Sequence, residues 1–409
     1  MDDRLRVKAE ELQPQIVDFT QRLIQTRSIS GEEGAIARLI QDEMRKLGYD
    51  EVLTDPAGNV IGILRGRGQG ETIMFNCHMD HVSEGNLADW EYEPYGGTVA
   101  GGWVHGRGAS DVKGAIASQV YGVYLLKALG IELQGDVILT FVIDEEPGDM
   151  WGMKHLCQDW LNRPVSLVVL GEATSLDIYL GHRGRLEMEL IGRGKMSHSS
   201  APWLGVNAVT KMAPVITKLD ELSRSLPEDD VLGKSTLSVT HISCQPGWGS
   251  TVPDICRVWV DRRYLPSEST EEVVNQFKQA VAECQAADPD INVECRIRQL
   301  AHTSYTGISE TEQLLKQPYL VPQDNPYVQK VVKALQDIGQ NPSFGVWDFG
   351  TDGSYTAHVL GIPTIGYAPG EEEYAHRPTD RVRIDFLIKA AVGNAAICRA
   401  VAGCYPKEV

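Results

Sequence analysis

Apolar positions recur at helical spacing over residues 5–26 (Leu5, Val7, Leu12, Ile16, Phe19, Leu23, Ile24) and again over 32–47, where Gly48 marks a stop. Short apolar runs at 58–65 and 71–77 read as strands. Residues 113–129 read as a helix ended by Gly130. Strands at 136–143 and 165–170 enclose a helix over 152–161. Strands alternating with helices predict an α/β layered sheet. In open sheets of that kind, ligand groups gather at the carboxyl ends of the strands.

The pattern changes after residue 183. A strand at 186–191, a helix at 206–222, strands at 235–244 and 255–263, a helix at 268–284 and a strand at 291–297 spell βαββαβ. That is the ferredoxin-like α+β order. Residues 300–325 are rich in Thr, Ser, Pro and Gln and read as an irregular return segment. The α/β pattern resumes with a helix at 326–338, a strand at 362–367 and a helix at 384–401. The expected organisation is therefore 1–183 and 300–409 as two parts of one domain, with 184–299 inserted.

A length of 409 residues exceeds what one hydrophobic core usually serves, which agrees with two domains. The net charge of −18 leaves no basic stripe for phosphates, so no nucleic-acid partner is expected. The 8 cysteines form no CxxC pair, which argues against a thiolate zinc site and fits a reducing compartment. The segment MDDRLRVKAEELQ lacks a signal-like apolar core, and no apolar run reaches the roughly 18 residues that span a bilayer. The expectation is a cytoplasmic protein with no membrane partner.

The chemistry gathers where strands end. His78 and Asp80 follow the apolar run 73–75 in NCHMDHV, and Asp111 heads a helix in GRGASDVKG. Glu145 and Glu146 follow the strand at 136–143, Glu172 follows that at 165–170, and His376 comes late. A His-x-Asp or a Glu-Glu pair alone is most often a solvated surface feature; five such signals in order are harder to dismiss. Two histidines and three carboxylates suit a pair of divalent ions, with Asp111 shared between them. Asp80 can accept the other ring N–H of His78 and fix its tautomer. Glu145, beside a ligand, suits a general base.

HMD, GRGASDVKG, DEE, GEAT and His376 occur in an order that resembles the co-catalytic di-zinc hydrolases. That family includes acetylornithine deacetylase, succinyl-diaminopimelate desuccinylase, aminoacylase and glutamate carboxypeptidase. GHRGRLEMEL, LGKSTLSV, WDFGTDGS and GYAPG are similar to its YgeY-like, selenium-metabolism-linked branch. The resemblance implies a zinc-peptidase-like catalytic domain, a mixed sheet flanked by helices, with the ferredoxin-like insertion serving dimerisation. It implies His78 and Glu172 on one metal, Glu146 and His376 on the other, Asp111 bridging, Glu145 as base, and a cis Asp111–Val112 bond. The metals would be zinc, with manganese or cobalt as alternatives. His198 would steady an oxyanion in the partner subunit of a homodimer, and Arg263, Asn207 and Gly370 would meet substrate. Two positions depart from the family: His81, expected to be structural, and Asp380, standing where a glutamate usually orients the late histidine.

The leading expectation is hydrolysis of an amide bond next to a free carboxylate, in a short peptide or an N-acyl amino acid, by a metal-bridging hydroxide. An N-carbamoyl or other ureido substrate is the alternative. A monozinc enzyme would not need Asp111, and a non-catalytic dimeric binding scaffold would have lost ligands or base.

Overall fold

A computed structural model describes residues 3–247 and 249–405. Its larger sheet has nine strands. The centre is parallel: Val137–Val142, Ile73–His78, Leu167–Leu170 and Thr364–Gly366 lie side by side. Antiparallel strands extend it on both sides, Val60–Leu64 and Glu51–Thr54 at one edge and Ile178–His182 with Tyr319–Leu320 at the other. Every residue of Ile73–His78 and Val137–Val142 is buried, as strands covered on both faces must be. The helices Asp3–Gln25, Gly114–Ala128 and Ile384–Ala402 pack on one another. Gly114–Ala128 is buried over almost its whole length, and each fully buried aliphatic side chain there stabilises the fold by roughly 1.5–3 kcal/mol.

The second sheet carries the order Thr236–Gln245, Ile255–Tyr264, Gly184–Arg193, Val293–Ile297. Helices Ala208–Arg224 and Thr270–Ala287 contribute to a separate core with one face of this sheet, through Leu186, Met188, Leu190, Val258, Val260, Met212 and Phe277. Strand alternation sends Arg185, Glu187 and Glu189 to the opposite face. There they meet Asp261, Arg298, Arg257 and Arg296 in a ladder of ion pairs. Among the described residues Thr236–Gln245 pairs with one neighbour only, and it is exposed along most of its length.

Residues 300–325 differ from the expected irregular segment. Gln299–Thr303 and Ser309–Gln313 form a hairpin, and Leu315–Lys316 adds a strand to the second sheet beyond residue 299. The hairpin's strands are mostly polar, so hydrophobic periodicity could not mark them. The strands Glu51–Thr54, Ile178–His182 and Phe344–Trp347 were also not anticipated. Among the described residues no helix is long and apolar enough to cross a membrane.

Candidate metal centre

Two groups of side chains meet at the carboxyl end of the parallel strands. His78, Asp111 and Glu172 form one, and Asp111, Glu146 and His376 the other, with donor atoms of each group within 4.8 Å of one another. Asp111 belongs to both. Its Oδ1 stands 3.0 Å from His78 Nε2, and its Oδ2 stands 3.1 Å from His376 Nε2. Glu146 Oε2 is 3.0 Å from His376 Nε2, and Glu172 Oε1 is 3.7 Å from His78 Nε2.

Local structure aims each donor. His78 is the last residue of a buried strand, and its Nδ1 donates to the Asp80 carbonyl at 3.0 Å, which turns Nε2 toward Asp111. The Asp80 carboxylate, expected to accept that N–H, is 3.5 Å away. It accepts instead from Ser30 Oγ at 2.7 Å and from the backbone N–H of Glu145 and Glu146 at 3.1 Å each. Asp80 therefore holds the loop that carries the two glutamates. Asp111 sits in an irregular turn closed by a cis Asp111–Val112 bond. Asp380, expected to orient His376, accepts from Gly108 N at 2.6 Å and Ser110 N at 2.9 Å, and so fixes the turn that presents Asp111. His81 accepts from Ser28 N at 3.0 Å and faces the Val82 carbonyl at 2.7 Å, so both ring nitrogens are engaged. Burial pushes its pKa down to about 3.

The donor set is short of positive charge. Burial, and then the nearby Asp111, pushes Glu146 up to about 7. Burial pushes Glu172 well above the ordinary carboxylate range. Nitrogen and oxygen donors in two groups sharing one carboxylate are what a pair of hard or borderline dications takes, and such ions would offset this crowding. The residues fit two divalent ions.

A cavity of about 480 Å³ opens on this centre and is lined by Asp111, Glu145, Glu146, Glu172 and His376 on one side. Arg185, Arg263 and Lys316 line it from the second sheet and its added strand. Glu145 is buried, and Lys316 Nζ pairs with its Oε1. Lys316 and Arg185 were not singled out from the sequence. The alternation of Arg185-Leu186-Glu187-Met188-Glu189 could have exposed Arg185; Lys316 lay in the stretch read as irregular.

The expected oxyanion residue His198 and the expected substrate residues Asn207 and Gly370 lie outside the cavity lining. His198 is exposed on the short strand Ser197–His198, and Ser200 N donates to its Nδ1 at 3.1 Å. Asn207 caps the helix Ala208–Arg224, its Oδ1 accepting from Val209 N at 2.9 Å. Gly370 packs against the Ser110 carbonyl so closely that a Cβ there would collide with it.

The chain matches the family model described as Peptidase family M20/M25/M40 over residues 74–399. It is 33% identical over 392 residues to the Escherichia coli K12 protein called "Uncharacterized protein YgeY", covering 95% of each chain. It is 30% identical over 288 residues to a succinyl-diaminopimelate desuccinylase of Cereibacter sphaeroides, covering 66% of this chain and 73% of that one. The fold is similar to that of the aminopeptidase PepT from Bacillus cereus, with a TM-score of 0.74, 23% identity, and coverage of 95% of this chain and 99% of that one. The chain thus belongs to peptidase family M20/M25/M40, among the metal-dependent amidohydrolases and peptidases.

Proposed function

We propose that the protein hydrolyses an amide bond next to a free carboxylate, in an N-acyl amino acid or a short peptide. The observation that carries this reading is the placement of buried Glu145, beside the His78–Asp111–His376 row, across one cavity from Arg263. His78, Asp111 and Glu172 would hold one divalent ion, and Asp111, Glu146 and His376 the other. Bound there, the ions would polarise the amide carbonyl and acidify a water molecule. Glu145 takes the proton of the attacking water on the oxygen that Lys316 leaves free, and delivers it to the departing nitrogen. Arg263 offers its guanidinium to the substrate carboxylate. Zinc is the proposed metal, with manganese and cobalt tested beside it.

The protein is also proposed to be a homodimer. The exposed edge strand Thr236–Gln245, with Val239 and Ile242 outward, suits pairing with a second copy. His198 would then enter the partner's cavity and steady the oxyanion, and Asn207 and Gly370 are proposed near the bound substrate. Every cysteine is free, which supports a reducing, cytoplasmic location.

The test is turnover of N-acetyl, N-succinyl and N-carbamoyl amino acids and of dipeptides, by wild type and Glu145→Ala loaded with zinc, manganese or cobalt. The reading expects turnover of a carboxylate-bearing amide that falls by several orders of magnitude in the variant. Turnover that survives Glu145→Ala would sink the assignment.

A further inference from the structure

Three cations stand in register across three neighbouring strands. Arg263 lies opposite Arg185, and Arg185 lies opposite Lys316. Residues directly opposite in antiparallel pairs project to the same face. All three line the cavity that opens on the metal ligands.

Lys316 is engaged with Glu145, but the two arginines are arranged differently. Asp261 sits between them: its Oδ1 accepts from Arg263 Nε and its Oδ2 from Arg185 Nε, each at 2.8 Å. Both guanidiniums are thereby held by the Nε edge. Arg185 Nη2 also donates to Glu187 at 3.1 Å, and Glu187 is shared with Arg298. Arg263 Nη1 is buried from solvent with no hydrogen-bond partner among the described residues. Arg185 Nη1 lies against Gly148, three residues past Glu145, where a Cβ would collide with it. Across this group three guanidiniums share two carboxylates. A buried donor without a partner is costly unless a ligand completes it.

We propose that Arg185 is the second arm, with Arg263, of a two-guanidinium clamp for one substrate carboxylate, and that Asp261 is the positioning residue that aligns both. The inference rests on the amide-hydrolase reading above and adds the residue that decides which substrates it takes. A planar fork matches a carboxylate, while a carboxamide presents one oxygen and a donor that faces another donor. The clamp should therefore reject the amide-capped form of any substrate it accepts.

The experiment compares N-acetyl amino acids with their carboxamide counterparts, for wild type, Arg185→Gln, Arg185→Lys and Asp261→Asn. Wild type should prefer the free carboxylate. Arg185→Gln should lower kcat/KM for the carboxylate substrate about 10- to 100-fold, mainly through KM, the loss of one charge-assisted contact. It should leave the carboxamide substrate nearly unchanged, so that the preference collapses. Arg185→Lys should restore part of it, and Asp261→Asn should raise KM for the carboxylate alone. A folding defect would lower both substrates together, so the ratio keeps the result readable. If wild type prefers the carboxylate and Arg185→Gln keeps that preference, the clamp is wrong and the hydrolase reading stands. If wild type turns over no carboxylate-bearing amide, the hydrolase reading falls and the clamp with it.

Discussion

Lys316 Nζ and Glu145 Oε1 form an ion pair whose side chains are only 2% and 9% exposed. The two residues come from different sheets: Lys316 from a strand added to the second, Glu145 from the loop after Val137–Val142 in the first. Lys316 also donates to the Gly350 carbonyl at 3.2 Å. Burial works against its charge, yet Glu145 and Asp352 hold its pKa above the usual lysine value. A permanent ammonium there fixes one oxygen of the proposed base and leaves the other free to carry a proton.

Lys316→Met should therefore lower kcat about 100-fold while changing KM little, because a misplaced base loses the proton-transfer contribution but not substrate binding. Steady-state kinetics on the best panel substrate, with a melting curve for each protein, would check this. An unchanged kcat would mean that Glu145 needs no anchor.

Metal removal should do more than stop turnover. Asp111 and Glu172 are buried and Glu146 is half-buried close to Asp111, and a cation bound only to the folded state adds stability by mass action. Dialysis against a chelator should abolish activity and lower the melting temperature. Elemental analysis before dialysis should give two metals per chain, and zinc, manganese or cobalt should restore both properties. Full stability after complete stripping would argue against ions at this centre.

The sequence spoke most clearly where burial imposes a period. The fully buried, mostly apolar strands at 73–78 and 137–142 and the alternating strand at 184–193 were legible because one or both faces are covered. His78, Asp111, Glu146, Glu172 and His376 were legible because each follows such a strand or turn, and they meet in two groups. The hairpin at 299–313 was not, since its residues satisfy neighbours through polar contacts and carry no apolar stripe. Lys316 was hidden for another reason: its role depends on a partner 171 positions away. Asp80 and Asp380 were expected beside histidines, but both spend their oxygens on backbone N–H groups, which no side-chain motif announces.

His302 gives the stability a pH dependence. Its Nδ1 pairs with Asp144, its Nε2 stands 2.6 Å from Asp149 Oδ2, and its ring stacks on Trp151 with centroids 5.1 Å apart. Burial opposes the charge, but the two carboxylates raise the pKa to about 9. A folded-state value above the unfolded one, about 6.5, adds stability that is complete below that value. That stability is lost as the pH rises through about 9. Denaturant unfolding should show wild type more stable than His302→Gln by on the order of 3 kcal/mol near pH 6, with the gap shrinking by about pH 10. A gap independent of pH would show that His302 is not titrating.

The proposed exchange of His198 between subunits can be read without a structure of the dimer. His198→Ala alone should lower kcat by about 100- to 1,000-fold, the usual cost of losing one oxyanion donor. Glu145→Ala should be inactive through its own base. In a mixed dimer, the subunit that keeps Glu145 would receive His198 from the partner that carries Glu145→Ala, so one cavity would again hold both groups. Mixing the variants under exchanging conditions should restore up to about a quarter of wild-type activity, from one working cavity in half of the dimers. Adding Ile242→Glu to both chains should abolish that recovery, because it places a charge on the exposed edge strand proposed to pair. Sedimentation would report whether the substituted chains are monomers. No recovery from stable mixed dimers would place His198 in its own subunit's chemistry or in none.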